Sequence, residues 1–125
     1  MNGNKFFLDT NAIIALLSGN TSIEKELSGA DWIGVSVISV LEFMSFPGLS
    51  FNDNLLFVAF LKRIEVIGIH GDDLVFLEAL AGFKSENKLK LPDAIIAGYA
   101  IQNQAILISN DKHFESIKKL SLQKF

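Results

Sequence analysis

Apolar residues come along this chain in two rhythms, short unbroken runs and longer stretches with helical spacing. "KFFL" at residues 5–8 reads as a short buried strand, and "TNAIIALL" at 10–17 follows as a helix stopped by "SGN". Thr21 and Glu24 have capping-box spacing and predict a short helix ending near Gly29. "WIGVS" at 32–36 is a second strand, and "VISVLEFMS" then runs as a helix up to Pro47 and Gly48. Residues 53–62, "DNLLFVAFLK", predict another apolar helix before a third strand in "RIEVIGI". Asp72 or Asp73 can cap the helix "LVFLEALAGF", and "KSENKLK" reads as a polar connector. Pro92 suits the first position of the helix "PDAIIAGYAIQNQ". "AILIS" is a fourth strand, "DKHFESIKK" a short helical turn, and "LSLQKF" a possible fifth strand at the edge.

Strands alternating with helices predict a three-layer α/β/α sandwich around a mainly parallel sheet of four to five strands. With no repeat, low-complexity tract or linker, residues 1–125 are expected to form a single domain. Half the residues are hydrophobic and 11 are Phe, enough for a well-filled interior. The Phe residues at 51, 57, 60, 76 and 83 fall on helical spacing and read as core or dimer contacts. Cys is absent, which removes disulfides, thiolate catalysis and thiolate zinc sites, and agrees with a reducing compartment. No apolar run approaches the roughly 18 residues of a membrane span. Asp9 and Asn11 also interrupt any signal-peptide core, so the expected location is the cytoplasm, away from membranes.

The net charge of −3 argues mildly against broad nucleic-acid binding. That inference weakens if four of the 14 acids hold cations, because the remaining acids are then fewer than the 11 Lys and Arg.

Four acids are placed to converge. In open α/β sheets ligands bind beyond the carboxyl ends of the strands. Asp9 directly follows the first strand and Asp111 follows the fourth, so both belong at one sheet edge. Asp93 stands in the first turn of its helix, in line with Ile96, Ala97, Ala100 and Ile101. Glu42 lies about two turns beyond the second strand, in line with Ile38, Ser39, Ser45 and Phe46. Each has an ordinary reading by itself. Asp9 can cap a helix, Asp93 can complement a helix dipole, Asp111 suits a turn, and Glu42 suits a helix surface. Together they need balancing positive charge, and the chain has one Arg and no His near Asp9. A hard divalent cation, Mg²⁺ or Mn²⁺, suits carboxylate oxygens. Such a centre supports in-line phosphodiester hydrolysis without a nucleophilic side chain.

At these residues the sequence resembles the PIN-domain ribonucleases, most closely the VapC-like toxins of toxin–antitoxin pairs. The matching stretches are "FFLDTNAIIALL", "VSVISVLEFMSFPG" and "LKLPDAIIAGYAIQNQAILISNDKHF", in that order and spacing. The resemblance implies that Asp9, Glu42, Asp93 and Asp111 are the metal-binding and catalytic acids. It makes Asn11 a polar helper and Ser109 the small hydroxyl residue before the fourth acid. It also implies Mg²⁺- or Mn²⁺-dependent cleavage of RNA, a homodimer, and a cognate antitoxin that fills the active-site groove. The chain departs from the family at His113, where many relatives carry a further acid. That residue is open to two readings, an exposed helix residue or a group that touches RNA phosphate or modulates the site. Lys84, Lys88 and Lys90 before Asp93, and Lys112, Lys118 and Lys119 after Asp111, are surface charges that could also hold an RNA backbone.

Two other classes compete with the nuclease. A non-catalytic binding module of the same fold would not need all four acids. A receiver-like signalling domain would need an acidic pair after the first strand and a phospho-acceptor Asp after the third. Here those places hold one acid and "VIGIHG".

Overall fold

The computed structural model describes residues 4–125. Its strands are β1 (Lys5–Leu8), β2 (Trp32–Ser36), β3 (Glu65–Ile67), β4 (Ile106–Ile108) and β5 (Leu122–Gln123). Its helices are α1 (Thr10–Leu17), α2 (Thr21–Leu27), α3 (Val37–Met44), α4 (Phe51–Leu61), α5 (Leu74–Glu86) and α6 (Leu91–Gln102). A 3₁₀ turn spans Lys112–Phe114. The five strands form one sheet in the order β3-β2-β1-β4-β5, and every neighbouring pair is parallel. The edge strand expected near the C-terminus is present, as β5.

Side-chain alternation along β1 accounts for the layers. Phe7 projects into a core built with Leu107, Leu80 of α5, and Ile95 and Tyr99 of α6. Its neighbours Phe6 and Leu8 enter a second core with Val35, Ile108, Ile13, Ile23, Phe43 and Phe57. Helices α5 and α6 therefore cover one face of the sheet, and α1 to α4 supply the other. Ala94 to Ala100 of α6 are all buried, which an amphipathic helix could not achieve. Small residues permit this close packing. At Gly98 an added Cβ would lie 2.5 Å from the Leu80 side chain.

The strand order places the site. From β1 the chain winds outward to β2 and β3, then returns through α5 and α6 to β4 on the other side of β1. Ladder pairing sets Leu8 level with Val35 and with Ile108, so these three strands end nearly flush. The gap between β1 and β4 at that edge is the switch point where such sheets bind ligands.

Several expected boundaries move. Thr21 is not the cap of α2; Asn20 is, its amide oxygen accepting from the Ile23 N–H at 3.0 Å, as suits a residue type favoured at helix N-caps. Helix α4 begins at Phe51 rather than Asp53, since Ser50 and Asp53 form a reciprocal capping box. Asp73 caps α5. That helix continues through Lys84, Ser85 and Glu86, good or neutral helix formers that the sequence reading left in the connector. Leu91 precedes Pro92 as the first residue of α6. Of the five Phe residues read as core or interface, Phe57 is fully buried while Phe51 is 72% exposed.

Candidate metal centre

Asp9 ends β1 and begins α1. Its extended backbone makes it the N-cap, and its Oδ1 accepts from the Ala12 N–H at 2.8 Å. Its Oδ2 accepts from the Ser109 hydroxyl, which comes from the end of β4. Ser109 is fully buried, and its Oγ also accepts from the Asp111 N–H at 3.0 Å. One hydroxyl thus joins the two strand ends. The capping reading of Asp9 holds and leaves room for the site reading, because a cap needs only one of its oxygens.

Asp111 caps the 3₁₀ turn, accepting from the His113 N–H at 2.9 Å. The same Oδ1 lies 2.9 Å from His113 Nδ1. Asp93 arrives from the first turn of α6. Ligand atoms of Asp93, Asp111 and His113 all lie within 4.8 Å of one another, close enough to share one ion. Glu42 comes from α3 and is held by Thr10, whose Oγ1 donates to Glu42 Oε1 at 2.5 Å. Glu42 is exposed, so its expected setting among buried residues is replaced by an open wall. The cause lies in α3 and its C-terminal end, where Ser45 and Phe46 just past the helix are also exposed while Ser39 and Phe43 bury.

Asp9, Glu42, Asp93 and Asp111 line one groove of about 670 Å³, together with Thr10, Asn11, Pro92 and apolar residues of α3 and α6. Among the described residues no Lys or Arg lines it. Burial pushes the Asp9 carboxyl above its ordinary value. The Ser109 and Ala12 hydrogen bonds oppose that, and the charges of Asp111 and Asp93 add to it. Asp93 is also raised, first by burial and then by Asp111 and Glu42, against the opposing pull of His113 and Lys90. Carboxylates from four separate segments therefore feel one another. Such a donor set fits a hard divalent cation, which would remove both the repulsion and the cost of burying charge.

The structure brings the four acids expected from the sequence into one groove with Asn11, and sets Ser109 against Asp9 and Asp111. Sequence reasoning missed Thr10, which orients Glu42, and the pairing of His113 with Asp111. Thr10 adjoins Asp9, but only the packing of α1 on α3 reveals its partner. For His113, the spacing of two from a turn-capping Asp was the available signal.

Known proteins share this fold. The PIN domain family model matches residues 6–120. No curated protein sequence matches significantly. Among solved structures, VapBC2 from Rickettsia felis bound to a promoter DNA fragment is 23% identical with a TM-score of 0.77, covering 97% of this chain and 98% of that one. A toxin–antitoxin complex from Klebsiella pneumoniae is 28% identical with a TM-score of 0.75, covering 91% and 93%. DNA-bound VapBC from Salmonella typhimurium is 20% identical with a TM-score of 0.73, covering 96% and 97%. No helix of the described residues is long and apolar enough to cross a membrane. With a family match across nearly its whole length and acids gathered at the sheet switch point, this chain belongs to the PIN-domain family.

Proposed function

We propose that this chain is a Mg²⁺- or Mn²⁺-dependent endoribonuclease of the VapC type, the toxin of a toxin–antitoxin pair. It acts in the cytoplasm as a single PIN-like domain in a homodimer. The carrying observation is the groove lined by Asp9, Glu42, Asp93 and Asp111, in whose lining no Lys or Arg takes part among the described residues. Asp93 and Asp111 are the principal metal ligands in this reading, and Asp9 completes the buried end of the site. Glu42 lines the same groove from α3, steadied by Thr10. Ser109 keeps Asp9 and the Asp111 backbone in register. The bound cation supplies a nucleophilic water near neutral pH and offsets charge on the scissile phosphate. Asn11 lines the groove and can hydrogen-bond a phosphate or that water. Exposed Lys90 and Lys112, each next to a segment that bears a site acid, are suited to hold the RNA backbone.

An antitoxin partner is supported by the toxin–antitoxin complex from Klebsiella pneumoniae, which shares 28% identity and nearly full coverage. In this reading it occupies the same groove and blocks RNA.

The test is cleavage of single-stranded RNA by purified protein with Mn²⁺. Asp93→Asn and Asp9→Asn should each abolish cleavage while the circular-dichroism spectrum stays native. EDTA should silence the wild type. Cleavage that persists in either variant and resists EDTA refutes the proposal.

A further inference from the structure

His113 is the one nitrogen donor beside the groove acids among the described residues. The rest of the proposed donor set is carboxylate oxygen. His113 Nδ1 lies 2.9 Å from Asp111 Oδ1, and its ligand atom lies within 4.8 Å of those of Asp93 and Asp111. Two donors on neighbouring vertices of an octahedral ion, with bonds of about 2.1 Å, stand roughly 3 Å apart. Donors on opposite vertices stand roughly 4.2 Å apart by the same geometry. The Asp111–His113 spacing therefore fits neighbouring vertices of one ion, and Asp93 lies within a short side-chain adjustment of the same ion. The 3₁₀ turn fixes that spacing locally, because Asp111 caps it by accepting from the His113 N–H. The imidazole is 69% exposed and makes no other ion pair among the described residues, so it can exchange its carboxylate contact for a metal bond.

The geometry points to His113 as a nitrogen ligand of the metal centre, one that biases this site toward Mn²⁺ and related transition ions over Mg²⁺. The inference rests on the metal-site reading above and adds the identity of the preferred ion. Mg²⁺ favours oxygen donors and keeps much of its water, whereas imidazole suits the later divalent transition metals. At this position His113 offers a ring nitrogen where a carboxylate would offer a negative oxygen. Mg²⁺ loses more by that exchange than Mn²⁺ does.

The experiment uses full-length protein without RNA. Mn²⁺ binding is titrated by electron paramagnetic resonance, Mg²⁺ is measured by competition, and pulsed spectra are recorded on the bound Mn²⁺. The wild type should show strong coupling to an imidazole nitrogen, absent from His113→Ala and His113→Asp. His113→Asp should also lower the Mn²⁺ to Mg²⁺ affinity ratio by roughly tenfold or more, the scale on which lost metal-site contacts act. Because His113 is exposed, the metal-free melting temperatures of both variants should match the wild type, which controls for folding. Bound Mn²⁺ without nitrogen coupling in the wild type overturns the inference and leaves the metal site standing. Absence of any Mn²⁺ binding overturns both.

Discussion

The buried and exposed halves of the groove are built on different principles. Asp9 is only 6% exposed, and one of its oxygens caps α1 while the other accepts from Ser109 across the sheet. Beside the groove, the His113 side chain is 69% exposed and pairs within its own turn. Glu42 is likewise exposed and held by one hydroxyl. The buried half gains geometric precision from the fold and bears the cost of placing a carboxylate in low dielectric. The exposed half is inexpensive to change and sets little of the fold. Residue identity is thus tied to stability at one end of the groove and free to tune chemistry at the other.

Removing the buried contacts should break this contrast most strongly. Asp9→Ala takes away the cap of α1 and the acceptor for a fully buried Ser109 hydroxyl. A lost cap and a stranded buried donor each cost about 1 kcal/mol or more, so the metal-free protein should lose about 2 kcal/mol in urea unfolding. Ser109→Ala should lose about half as much, because Asp9 keeps its bond to the Ala12 N–H. If Asp9→Ala unfolds at the wild-type urea concentration, the buried half carries none of the stability assigned to it.

A medium effect concerns protons and metal. Asp9 and Asp93 both have folded-state values above the ordinary 3.8, so the folded protein holds protons more tightly than the unfolded chain. Their contribution to metal-free stability is complete below 3.8 and is lost as pH rises through the raised values. The metal-free melting temperature should therefore fall with rising pH over that window. The fall should be shallower in Asp9→Asn and Asp93→Asn. Adding Mn²⁺ near neutrality should restore more of the melting temperature in the wild type than in Asp93→Asn. Equal slopes and equal metal shifts in all three proteins would separate these acids from a common site.

The smallest effect belongs to the exposed wall. Thr10→Ala should alter stability by less than about 0.5 kcal/mol, as surface substitutions usually do. Because it frees Glu42, it should still weaken Mn²⁺ binding in calorimetry. A large loss of stability would show that the Thr10–Glu42 contact helps hold the fold.

Much of this was legible without coordinates. The runs "KFFL", "WIGVS" and "AILIS" contain β1, β2 and β4, and Asp9 and Asp111 follow the first and last of them. Element ends were less legible. Asn20 competes with Thr21 to cap α2, and α5 runs three residues past the apolar pattern because Lys84 to Glu86 tolerate helix on a solvated surface. Exposure was hidden as well. Glu42 and Phe46 share a helical row with buried Ser39, yet they face an open groove.

Hydrophobic periodicity by itself determined the alternation of strands and helices, because burial must follow the repeat of each backbone form. It also determined which acids stand at strand exits and first helical turns, since those places are local. The tertiary structure alone decided that β4 lies beside β1, so that Ser109 reaches Asp9 across a sequence separation of 100 residues. It also paired Thr10 with Glu42 and His113 with Asp111. Contacts of that kind depend on where whole helices settle against the sheet, and the order of apolar and polar residues along the chain does not record it.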